Sequence, residues 1–162
     1  MRRFSREIIY QIGFILCTMI CVVTSFLKFF EASYGSGANA VSESYRLARF
    51  GFAWEILVIV AAGVGAYFTF IAFNKVAVLL SGAAMCLAAI VAYTKAENVA
   101  ASFVHKSGSA PNEVDSLMRT LDSGVVESTV SSSFTAAFYL FAIAAVGAII
   151  FAICEALFIN EK

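Results

Sequence analysis

Four long runs of apolar residues, separated by polar stretches of very different length, dominate the chain. They cover about Ile8 to Phe30, Phe50 to Phe73, Val76 to about Thr94, and Phe134 to Ile159. Apolar runs of about 18 to 25 residues match helices that cross a hydrocarbon core of about 30 Å. The pattern predicts an all-α integral membrane protein, a four-transmembrane-helix bundle forming one domain over residues 1–162. Asn74 and Lys75 alone separate the second and third runs, so these two spans must form an antiparallel hairpin. The remaining connections, 31–49 and 95–133, are expected as outer loops.

The first of these loops opens on the turn-forming Tyr34-Gly35-Ser36-Gly37 and then becomes polar. In the second, Ser107-Gly108-Ser109-Ala110-Pro111 is a break, after which Val114, Leu117, Met118 and Leu121 recur at helical spacing. That spacing predicts a short extracytoplasmic amphipathic helix between the third and fourth spans, its apolar side against the span ends or the lipid interface. The first apolar run is too long for the h-region of a signal peptide, and the Ala38-Asn39-Ala40 triplet lies too far beyond it, so a retained first helix is expected.

Composition agrees with a membrane setting: 61% of residues are hydrophobic and 14% charged, against roughly a quarter charged in soluble domains. Eleven basic and eleven acidic residues balance, which leaves no basic face for nucleic acid. The Lys and Arg of the alternating model are nearly even between the two sides. Arg2, Arg3 and Arg6 precede the first span, however, and the first helix usually sets the orientation. Both termini are therefore expected inside, in a plasma or cytoplasmic membrane. The single proline, Pro111, falls in a loop, and Cys17, Cys21, Cys86 and Cys154 all lie within apolar runs.

An ionisable side chain in lipid costs about 2.5 to 3.5 kcal/mol on insertion scales, so each one needs a reason. Glu55 and Glu155 are the acids inside the spans, and alternating crossings put them at opposite ends of the bundle, which excludes a carboxylate pair. Counted outward from the Asn74-Lys75 turn, Glu55 and Lys95 fall at similar depth. They form a candidate intramembrane ion pair or ion site. Glu155 falls at the level of Arg6 and Lys75.

Other chemistry finds little support. Cys17 and Cys21 are four apart on one helix face, the spacing of packing neighbours and not of a redox Cys-x-x-Cys. His105 is the only histidine, with no cluster of acids or cysteines around it, so no metal or other cofactor is expected. No serine sits in the setting of a nucleophile elbow, and no catalytic constellation is visible. Gly63-Val64-Gly65-Ala66-Tyr67 lies mid-span, where exposed backbone would be unsatisfied, and is expected to pack helices. Small residues four apart form candidate packing seams: Ala61 with Gly65 on the second span, and Ala144, Ala148 and Ala152 on the fourth.

Four spans, a larger second outer loop and both ends inside give a layout that resembles claudins and tetraspanins. The disulfide-forming loop cysteines of both groups are absent here, and no motif assigns the chain to either. The expected function is that of a non-catalytic membrane subunit or scaffold, making helix-helix and outer-loop contacts in a larger assembly. Its partners are the lipid bilayer and other membrane subunits or further copies of itself. The alternative is a small oligomeric channel or transporter for a cation or proton using Glu55.

Overall fold

The computed structural model describes residues 2–34, 41–72, 74–107 and 130–158. Four of its helices are long and apolar enough to cross a membrane, over Ile8–Ser25, Phe52–Ile71, Lys75–Ala96 and Ala136–Leu157. In chain order the elements are α1 (Arg2–Ser25), β1 (Lys28–Tyr34), β2 (Val41–Arg46) and the single turn α2 (Leu47–Phe50). There follow α3 (Phe52–Tyr67), a π-helical segment (Phe68–Ala72), α4 (Lys75–Ser107), β3 (Val130–Phe134) and α5 (Ala136–Phe158). In the bundle α1 packs on α5, α5 on α4, α4 on α3 and α3 on α1, a closed ring of neighbours.

Local chemistry sets the helix ends. Near the end of α1, Thr24 Oγ1 donates to the Ile20 carbonyl at 2.7 Å and Ser25 Oγ to the Val22 carbonyl at 2.7 Å, back-bonding that competes with continuation of the helix. Gly51, at φ 145°, takes a conformation a side chain would resist and so separates α2 from α3. Asn74 caps α4, its Oδ1 accepting from the backbone N–H of Val76 at 3.1 Å and of Ala77 at 3.4 Å.

The expectation of an all-α chain is corrected by a three-stranded antiparallel sheet, in the order β2-β1-β3. The first apolar run does not continue as helix to Phe30: it leaves the helix after Ser25, and Phe29 and Phe30 belong to β1. A bulge explains why no alternation betrays the strand. Lys28 pairs with Arg46 and Phe30 with Tyr45, so Phe29 is the extra residue, and both phenylalanines can turn to the core. Phe29 meets the rings of Phe138 and Phe141 on α5, at centroid distances of 5.9 and 5.2 Å. Phe30 meets Phe134 of β3 at 5.4 Å. The sheet thus sits against one end of the bundle, here called the sheet end, and Asn74 marks the opposite, turn end.

The two expected outer loops change accordingly. Residues 31–49 contribute two strands and a helical turn, and the helix that begins at Lys75 runs on through Ser107 instead of ending near Thr94. Polarity after Lys95 ends the apolar span but not the helix, because residues 95–107 contain neither Gly nor Pro. The amphipathic helix expected over Val114 to Leu121 lies outside the described residues.

Candidate functional site

The middle of the bundle is filled. Phe14, Cys21, Met85, Ala88, Phe141 and Ala145 are all fully buried. Ala144, Ala148 and Ala152 are buried within the fold as well, on the face of α5 that its neighbours cover. Close approach is tight where glycines sit: a Cβ on Gly82 would lie 3.1 Å from the Ile149 Cα, and one on Gly65 would lie 2.5 Å from Ser81 Oγ. Ser81 Oγ donates to the Ala61 carbonyl at 2.5 Å, so the Ala61 and Gly65 seam is where α4 docks on α3. The cysteines pack in the same way. Cys86 Sγ donates to the Ala145 carbonyl at 3.3 Å and Cys21 Sγ to the Phe141 carbonyl at 3.8 Å.

Polar groups gather at the two ends instead. At the sheet end Glu55 opens α3 and is 9% exposed. Lys95 approaches the start of α3 from α4. Its Nζ donates to the Phe50 carbonyl at 2.7 Å and lies 3.8 Å from where a Gly51 Cβ would be. Among the described residues no ion pair joins Lys95 to Glu55. The break at Gly51 accounts for this, because it leaves the Phe50 carbonyl without a helical partner and within reach of the ammonium. One carbonyl dipole thus takes the place of the expected carboxylate.

At the turn end Gln11, Thr69, Lys75 and Glu155 come from the four long helical stretches. Gln11 of α1 donates through Nε2 to the Thr69 carbonyl in the π-helical segment at 3.4 Å. Lys75 at the start of α4 donates to the Ala156 carbonyl of α5 at 3.4 Å. Glu155, beside that carbonyl, is 4% exposed and feels the charge of Lys75. Two buried oxygens here, Thr69 Oγ1 and Glu155 Oε2, have no hydrogen-bond partner among the described residues. The depth of Glu155 and Lys75 follows from the sequence count, whereas the side chain of Arg6 lies outside the described residues. Gln11 and Thr69 were not singled out from the sequence, although each interrupts an apolar run with an amide or hydroxyl.

The sheet end also carries most of the described charge outside the spans. Lys28 and Glu31 approach to 3.8 Å, Tyr45 donates to Glu43 Oε2 at 2.5 Å, and the Arg49 guanidinium stands 5.8 Å from the Tyr45 ring centroid. A scan against protein families finds none that matches the chain, and a search of curated proteins finds no match.

Proposed function

We propose that the protein is a non-catalytic subunit or scaffold of a membrane assembly. In this reading it is multi-pass, with both termini and the Asn74 turn on the cytoplasmic side and the sheet end outside. Its lipid-facing helix surfaces and its sheet end contact other membrane subunits or further copies of the chain. The observation that supports it is the filled bundle centre. Phe14, Met85, Phe141 and the alanines of α5 occupy the space that a conducting path or a substrate site within a single bundle would need, and transporters as a class place polar or broken helices there. Purification in a mild detergent, with identification of co-purifying chains and of the oligomeric state, tests it. Defined partners or a discrete homo-oligomer are expected, and a lone monomer under all mild conditions sinks the proposal.

A second reading, a small oligomeric channel or transporter for a cation or proton using Glu55, has one observation in its favour. Glu55 is buried at the head of α3, and Lys95 is engaged by the Phe50 carbonyl. The carboxylate is therefore left without that ammonium as an ion-pair partner, as an ion site would require. Flux measured in vesicles with wild-type protein and Glu55→Gln separates the readings: the subunit proposal expects no Glu55-dependent conductance.

A further inference from the structure

Where α1 leaves the bilayer and α5 enters it, a groove of about 470 Å³ opens between Phe26, Leu27, Lys28, Glu31, Arg46 and the first turn of α5. Its depth is fixed by the helices. The span of α1 ends at Ser25 and that of α5 begins at Ala136, so the groove stands at the level of lipid headgroups. Its charges are unusual for a two-stranded ladder. Lys28 and Arg46 are direct cross-strand partners, and like charges placed opposite each other destabilise a sheet. Glu31 offsets part of this from 3.8 Å, but that contact is half exposed, at 59% and 50% for the two side chains, and such pairs hold weakly. Among the described residues Arg46 has no acidic partner. Below the charges, Phe26 and Leu27 are about half exposed, at 49% and 48%, and Val23 and Leu140 continue the apolar surface toward the bilayer centre.

We propose that this groove binds one phospholipid with a primary-amine headgroup, its phosphate between Lys28 and Arg46 and its ammonium on Glu31. The phosphate relieves the cross-strand repulsion by charge-assisted hydrogen bonds to both cations. The ammonium can donate to the carboxylate, which a quaternary choline cannot, and the acyl chains lie along the exposed apolar residues of α1 and α5. Phosphatidylglycerol offers the same phosphate but only neutral hydroxyls beyond it, so the selectivity rests on the ammonium, which alone sets a positive charge on Glu31.

Native mass spectrometry of the delipidated full chain tests the proposal, with dioleoyl phosphatidylethanolamine, phosphatidylcholine and phosphatidylglycerol added in turn. One phosphatidylethanolamine should be retained in preference to the other two. Lys28→Gln and Arg46→Gln should each weaken it by about fivefold, the effect of one basic residue near a headgroup, and Glu31→Gln should abolish the preference over phosphatidylcholine. Circular dichroism confirms that each variant keeps its helices, and these half-exposed positions lie outside the bundle interior. Equal retention of all three lipids, undiminished retention by the Lys28→Gln/Arg46→Gln double variant, or displacement of the lipid by inorganic phosphate would each overturn the proposal.

Discussion

Tyr45 shows how a residue at the sheet end is tuned by its neighbours. Burial first, and then the hydrogen bond and charge of Glu43, push its phenol up to about 12, with Arg49 pulling the other way. An unfolded tyrosine ionises near about 10, so between about pH 10 and pH 12 the folded protein keeps a proton that the unfolded chain releases. The stabilisation is therefore complete below about pH 10 and is lost as pH rises toward about 12. Tyrosinate absorbance, wild type minus Tyr45→Phe, should show this late-titrating phenol, and Glu43→Gln should bring its titration to lower pH. At the other end, Glu155 Oε2 is buried without a hydrogen bond among the described residues, and burying an unpaired carboxylate oxygen costs stability. Replacing Glu155 and Lys75 together with Met removes both charges and should raise resistance to unfolding in mixed micelles by ~1–3 kcal/mol. A loss of stability or of assembly would instead show that the carboxylate meets a partner.

Among the elements, the helix contacts respond very differently to one added methyl group. On Gly82 a Cβ meets the backbone of Ile149, at 3.1 Å from Cα and 3.3 Å from N, and backbone cannot rotate aside. Gly82→Ala should push α4 from α5 and cost ~1–3 kcal/mol. Gly63 has nothing within 4 Å of its built Cβ, so Gly63→Ala should be neutral or stabilising by up to about 1 kcal/mol, through helix propensity alone. Unfolding in mixed micelles measures both, and a similar effect at the two sites would sink the assignment of Gly82 to the α4–α5 contact. The spans were legible because lipid demands long apolar helices that satisfy their own backbone. The sheet was not legible, for reasons of its own. The bulge at Phe29 erases the alternation of β1, and Ser131-Ser132-Ser133 gives β3 no apolar face to read. The candidate site was legible in depth but not in contact. Counting residues brings Lys95 to the level of Glu55, yet only the φ of Gly51 reveals that the Phe50 carbonyl gets there first.

For the whole molecule, the proposed orientation carries the widest consequence, because it decides which aqueous phase meets the sheet. Ser44 on β2 and Asn74 at the α3–α4 turn are both exposed and lie at opposite ends of the bundle, so a thiol introduced at each reports one face. The native cysteines lie within the spans, and Cys21 and Cys86 are bonded to carbonyls there, so replacing all four with alanine gives a clean background. In intact cells a membrane-impermeant maleimide should label Ser44→Cys from outside and leave Asn74→Cys unreactive until the membrane is opened. Asn74 caps α4 through its side chain, and losing a cap costs about 1 kcal/mol, so the neighbouring exposed Val76→Cys serves as a second reporter of that face. Labelling of Asn74→Cys and Val76→Cys from outside, with Ser44→Cys protected, would invert the orientation and place the sheet in the cytoplasm.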